Sequence, residues 1–116
     1  MKAKIWNLRI WISEVNPQKL RKTLNDLLIR ADFDILRFNE YFFQPQGYSA
    51  LWLLGESHLA IHTFPEENAT YLELSSCVEK PFEKFRELLF FEYKGKYLGD
   101  KAEPHNFSPM SGRKRN

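Results

Sequence analysis

The chain holds a single cysteine, Cys77, so an internal disulfide is excluded and the fold must hold without one. One lone thiol suits a reducing compartment, and the expectation is a cytoplasmic protein. No apolar stretch approaches the ~20 residues that a membrane-spanning helix needs. The opening MKAKIWNLRIWISEV lacks the roughly 7–15-residue apolar core and the small-residue cleavage site of a secretory signal. Charge of one sign is also missing: 17 Lys and Arg stand against 15 Asp and Glu, a net charge of +2. That balance argues against nucleic acid or a membrane surface as partner. There are no internal repeats.

What is present is a single domain's worth of chain, 116 residues with 43% hydrophobic content. The aromatic share, 16%, is high for this length. Some of those rings are expected at a subunit interface or a ligand site rather than in the core.

Periodicity orders the chain as β-α-β-β-β-β-α. Lys4 to Val15 alternates around Trp6, Ile10 and Ile12 and reads as a strand. Asn16-Pro17 is a helix start, with Asn as N-cap and Pro at the first helical position. Leu20, Leu24, Leu27 and Leu28 then form one helical stripe that ends near Arg30. Strands are expected over 34–43, 48–54, 57–63 and 69–77, with a turn at Gln44-Pro45-Gln46-Gly47 and another at Glu66-Glu67-Asn68. Pro81 is expected to open a second helix with Phe82, Phe85 and Leu89 on one stripe. The piece from Phe90 to Leu98 fits either the end of that helix or a last strand. Residues 100–116, polar and ending in Arg113-Lys114-Arg115, read as a poorly ordered tail. The expected class is α+β: a two-layer sandwich of an antiparallel β-sheet with helices on one face, over residues 1–99.

The densest chemistry lies in GESHLAIHTFPE, Gly55 to Glu66. Polar groups in a strand of this kind cost free energy unless they are hydrogen-bonded or used. Alternation sends His58, Ala60 and His62 to one face and Ser57, Leu59, Ile61 and Thr63 to the other. Gly55 supplies conformational freedom at the turn before the strand. Pro65 closes it. His58 and His62 imitate a metal-binding pair, but four strand residues span roughly 13 Å. That is too far for one ion at ~2 Å bonds, so no metal is expected.

Taken singly, each polar residue has an ordinary explanation. A serine entering a strand is usually structural, and a lone cysteine is usually a small core hydrophobe. His62 would be a satisfied histidine, Phe43 core filler and Glu66 a turn residue. Their joint spacing is more specific. The string ESHLAIHTFPE, a cysteine fifteen residues after His62, and the upstream FFQPQGYSALWLL together resemble the small prokaryotic S-adenosylmethionine decarboxylases. The match runs from about Phe43 to Cys77 without a gap.

That resemblance implies a catalytic group made from the chain itself. Ser57 would attack the carbonyl of Glu56, and elimination would then cut the chain into 1–56 and 57–116. A pyruvoyl group would be left where Ser57 stood, able to form a Schiff base with the substrate amine. Ser49 and His62 match residues that assist processing, His62 as the base for the α-proton. Cys77 matches the acid that reprotonates the substrate carbon; an ordinary thiol pKa near ~8.5 suits that task. Phe43 matches an aromatic stacked on adenine, and Glu66 a carboxylate that binds ribose hydroxyls. The implied substrate is S-adenosylmethionine, the implied product the aminopropyl donor for spermidine, and the implied assembly a homodimer through the uncovered sheet face.

Three departures bear on these roles. Phe64 stands where the family usually has tryptophan. Ser75-Ser76-Cys77-Val78 replaces a segment that commonly reads Phe-Thr-Cys-Gly. Trp11 falls near a glutamate that shapes the substrate pocket. Two alternatives therefore stay open beside the leading one: a pyruvoyl-dependent decarboxylase of arginine or ornithine, and a non-catalytic homologue that keeps only the fold.

Overall fold

The structure is a computed structural model and describes residues 2–99. The expected tail, 100–116, lies outside the described residues. Six strands and two main helices follow in the order β1 (Trp6–Ile12), α1 (Pro17–Arg30), β2 (Ile35–Phe42), β3 (Tyr48–Leu54), β4 (Ser57–Phe64), β5 (Ala69–Ser76), α2 (Glu79–Glu92) and β6 (Tyr97–Gly99). They form one antiparallel sheet in the order β2-β3-β4-β5-β1-β6. Strands β2 to β5 are a meander of neighbours. Helix α1 carries the chain from β1 to the far edge at β2, and α2 returns it from β5 to β6.

Both helices cover the same face, because the strands present one apolar row set there. Leu8, Ile10 and Ile12 of β1 are buried together with Tyr48, Ala50, Trp52 and Leu54 of β3. Leu59 and Ile61 of β4 join Leu72 and Leu74 of β5 in the same cluster, under Leu20, Leu24, Leu27 and Leu28 of α1 and Phe82, Phe85 and Leu89 of α2. Each of these large side chains contributes about 1.5–3 kcal/mol on leaving water. The indole of Trp52, fully buried, keeps its one donor satisfied by Asn25 Oδ1 at 3.1 Å.

The first helix starts as its sequence predicts: the Asn16 side chain accepts from the Lys19 amide at 2.9 Å, with Pro17 at the first helical position. The second starts two residues earlier than expected, at Glu79. Pro81 then sits in the first turn, where its missing amide hydrogen has no intrahelical partner to lose. The ambiguous 90–98 piece splits: the helix runs to Glu92, and Tyr97–Gly99 pairs with β1 as a short edge strand. The turn expected at 66–68 is a 3-10 turn over Pro65–Glu67 closed by a left-handed Asn68 (φ 54°).

Among the described residues, the other sheet face carries no helix. Its central row runs Tyr41, Ser49, His62, Tyr71, Trp11 in direct cross-strand register. Leu51 and Leu53 lie exposed on the same side at 42% and 46%, far above a core leucine. Among the described residues no helix is long and apolar enough to cross a membrane.

Candidate active site

The sequence-predicted residues gather at two opposite ends of the sheet. At one end β3 turns into β4, and β5 runs out beside it. Ser57 opens β4 and stands directly opposite Ser76, the last residue of β5. Both face the helix-covered side and are buried, at 8% and 1% exposure. Ser57 Oγ lies 2.7 Å from the carbonyl oxygen of Glu56 and 2.8 Å from Ser76 Oγ. The same Glu56 carbonyl accepts the Cys77 backbone N–H at 3.0 Å.

This is a set of parts for rearranging the Glu56–Ser57 bond. The Ser57 oxygen lies beside the carbonyl whose carbon it would attack, 2.7 Å from that carbonyl's oxygen. An amide hydrogen is aimed at the oxygen on which charge would grow, which is the geometry of an oxyanion hole. The backbone is strained at the same place. Gly55 was expected to take the unusual conformation, yet the left-handed residue is Glu56, φ 58°. A side chain at that φ is uncommon and carries a conformational cost. A Cβ at Gly55 would meet Asp34 Cβ only at 3.7 Å, an ordinary contact, so the turn's special demand falls on Glu56.

Cys77 follows the strand instead of ending it, and its side chain is exposed. It lines an open cavity of about 490 Å³ with Lys2, Ala3, Lys4, Trp6 and Glu56. Cys77 thus meets solvent in a cavity that Glu56 also lines. A larger hollow of about 830 Å³ lies along α1, by Arg21, Asn25 and Phe38, and contains none of the predicted site residues.

The other end holds Ser49, His62, Phe43 and Glu66. Ser49 Oγ and His62 Nδ1 are 2.7 Å apart across the β3–β4 pair, which orients the ring. In the tautomer whose Nδ1–H donates to Ser49 Oγ, Nε2 is the ring atom that can take a proton. Tyr71 stands directly opposite His62. Burial, then the hydrogen bond to Glu73 at 3.0 Å and that carboxylate's charge, push its pKa up to about 12, so a neutral phenol flanks the imidazole. Trp11 packs on Tyr71 and Phe64 with ring centres 5.1 and 5.8 Å away. Phe43 is 41% exposed and meets Tyr41 edge-on at 4.8 Å. Glu66, in the 3-10 turn, accepts from Gln46 Nε2 at 3.5 Å.

Within one chain the two ends do not meet. Ser57 and His62 are five residues apart on one strand, about 16 Å at the ~3.3 Å rise of a strand, with side chains on opposite faces. The structure therefore brings Ser57, Glu56 and Cys77 together, and Ser49 with His62, but not the first group with the second. Sequence reasoning missed Ser76, the amide of Cys77 and Tyr71. Strand register would have found all three, since each is defined by what it opposes rather than by its own type.

The chain is an α+β domain with two helices on one sheet face and a serine hydroxyl set against the carbonyl before it. A family model described as S-adenosylmethionine decarboxylase matches residues 14–101, and the chain belongs to that family. A Prochlorococcus marinus protein named S-adenosylmethionine decarboxylase proenzyme is 40% identical over 58 residues, covering 50% of this chain and 46% of the relative. A Pyrococcus furiosus protein of the same name is 28% identical over 83 residues, 71% of this chain and 60% of the relative. The first of these alignments spans about half the relative's length. The crystal structure of the adenosylmethionine decarboxylase from Aquifex aeolicus superposes with a TM-score of 0.66 at 20% identity, over 81% of this chain and 83% of that one. At that identity the likeness concerns the fold alone, and it agrees with the expected α+β sandwich.

Proposed function

We propose that this chain is a self-processing, pyruvoyl-dependent decarboxylase of S-adenosylmethionine, cut between Glu56 and Ser57. The observation that carries the reading is the Ser57 hydroxyl 2.7 Å from the Glu56 carbonyl oxygen, which the Cys77 amide also holds at 3.0 Å. In the first step the Oγ–carbon bond forms, the carbon–nitrogen bond breaks, and the hydroxyl proton ends on the Ser57 nitrogen. A base then takes the Ser57 α-proton, the Cβ–Oγ bond breaks, and Glu56 leaves as a carboxylate. One water replaces the nitrogen, which departs as ammonia.

The carbonyl so formed supplies an electron sink that side chains lack. Around it the chain's own residues bind and move protons. Cys77, open to the adjoining cavity, holds the proton for the carbon that loses carbon dioxide. Phe43 offers an exposed ring for stacking, and Glu66 an exposed carboxylate for a ribose diol. These two features favour the nucleoside substrate over arginine or ornithine, which need neither. The product would be decarboxylated S-adenosylmethionine, and the setting cytoplasmic.

The separation of the two ends argues for a homodimer. Two copies packed open face to open face, related by a two-fold axis lying between the sheets and running across the strands, set the His62 end of one over the Ser57 end of the other. The partner subunit's His62 would then serve as base, and the partner's Phe43 and Glu66 would hold the nucleoside. The exposed Leu51, Leu53 and Tyr41 are the apolar surface such a contact would cover.

A denaturing intact-mass spectrum of the purified chain, followed by carbon dioxide release from S-adenosylmethionine, arginine and ornithine, tests the reading. Two pieces split at Glu56–Ser57 are expected, the second lighter than a serine-started chain by one ammonia, with release from S-adenosylmethionine. A chain that stays whole on long incubation would overturn it in favour of a non-catalytic homologue.

A further inference from the structure

We infer that Ser76 is a positioning residue for self-processing: its hydroxyl turns the Ser57 O–H away from the Glu56 carbonyl and so frees the oxygen to attack. The inference rests on the self-processing reading above and assigns a residue to its first step.

The Ser57 hydroxyl has one hydrogen and two acceptors within reach, Glu56 O at 2.7 Å and Ser76 Oγ at 2.8 Å. The choice between them decides reactivity. Hydrogen aimed at the Glu56 carbonyl makes a stable ground-state bond and puts the hydrogen between oxygen and target. Hydrogen aimed at Ser76 leaves the lone pairs of Ser57 on the carbonyl side.

The surroundings favour the second arrangement. Ser76 Oγ donates to Val78 O at 3.0 Å and accepts the Val78 amide at 3.0 Å. Its own hydrogen is thereby committed, and its remaining lone pair faces Ser57. The Glu56 carbonyl, in turn, already has a donor in the Cys77 amide. Ser76 is 1% exposed, so no water competes for that lone pair. The Val78 bonds also pin the chain just beyond β5. The same short stretch that orients the nucleophile therefore places the Cys77 amide against the carbonyl oxygen.

Replacing Ser76 by a residue without a hydroxyl leaves the Glu56 carbonyl as the acceptor the structure offers to Ser57. A misdirected attacking group of this kind costs about 100-fold in rate. The test compares Ser76→Thr with Ser76→Val, which have the same shape and differ in the hydroxyl, beside wild type and Ser76→Ala. Each purified proenzyme is followed by intact mass, with and without hydroxylamine, which cuts esters faster than amides.

The expected result is wild-type processing for S76T and a rate about 100-fold lower for S76V and S76A. The slow variants should wait as the amide and resist hydroxylamine, with rates read well below each thermal midpoint, which S76V and S76A lower by losing both Val78 bonds. Equal rates for S76T and S76V would overturn the inference, as would a slow variant that accumulates a hydroxylamine-sensitive ester. In either case wild-type cleavage leaves the decarboxylase reading standing. A wild-type chain that never cleaves would overturn both.

Discussion

The two ends of the sheet are built on opposite principles. At the Ser57 end the two serine hydroxyls are inside, short of water and tied to neighbours, Ser57 to Glu56 and Ser76, and Ser76 to Val78; the Glu56 carbonyl holds the Cys77 amide, while the Cys77 thiol opens to solvent. At the His62 end the groups stand on the uncovered face, with an exposed imidazole, exposed Phe43 and exposed Glu66. A buried cluster is preorganised and needs nothing added before a bond within the chain can move. An exposed cluster has its geometry set by strands but its environment set by whatever covers it. On the proposed mechanism, the contrast separates an ester shift that one chain would make on itself from an elimination and a decarboxylation that would wait for a second body.

The sharpest way to break this contrast is to put the ends on different chains. A Ser57→Ala chain should never be cut, and a His62→Ala chain alone should be cut at least about 100-fold more slowly than wild type, the usual cost of a lost general base. Co-expressed, the His62→Ala chain should be cleaved while the Ser57→Ala chain stays whole. No rescue in the mixture would mean that each chain works alone and that the open faces do not share a site.

Cys77→Ala sharpens the comparison from the Ser57 end, because it removes the thiol and keeps the amide. Self-cleavage should proceed at the wild-type rate, since the donor on the Glu56 carbonyl is backbone. Decarboxylation should fall by about 100- to 10,000-fold for want of a positioned acid. Full turnover in that variant would remove the thiol from the mechanism. At the exposed end, Glu66→Gln should raise the KM for S-adenosylmethionine about tenfold, the worth of one charge-assisted hydrogen bond, with processing unchanged. An unchanged KM would place the ribose elsewhere.

The smallest effect is on stability, away from both ends. Glu14 ties the β1–α1 connection to Lys96 at 2.9 Å and to the Asn16 amide at 3.0 Å. Burial pushes its pKa up, but these two bonds and the Lys96 and Lys19 charges outweigh it, and the value falls below the ordinary 4.5. A carboxylate lowered in the folded state stabilises above its unfolded pKa, and that contribution is lost as pH falls through the lowered folded value. Urea midpoints measured down the acid range should fall less steeply for Glu14→Gln than for wild type. Parallel curves would remove Glu14 from the acid response.

Much of the frame was legible in the sequence for reasons that are local. Asn16-Pro17 and the leucine stripe specify α1 by capping and period. The alternation in 57–63 specifies which face each residue takes, and the structure keeps that assignment: Ser57, Leu59, Ile61 and Thr63 are buried, His58 and His62 exposed. The odd spacing between Ser57 and His62 already contained their opposition across the sheet, although the implied roles join them. What was not legible depends on register. Ser76 opposes Ser57 only because the 3-10 turn at Pro65–Glu67 and the left-handed Asn68 set where β5 starts back. The left-handed Glu56 was equally out of reach, since a glycine beside it was the natural place to expect that conformation.

The left-handed turn at Glu56 also bears on direction. As long as the chain is whole, Glu56 is held at φ 58° by the hairpin on both sides, at a conformational cost of about 1–2 kcal/mol. Cutting after Glu56 makes it a chain terminus, which is free to relax to an ordinary backbone angle. The new end then no longer presents itself to the group it left. On the proposed mechanism the turn would act in one direction: its strain lasts only while the bond does, and with the nitrogen gone as ammonia no amine remains to remake it.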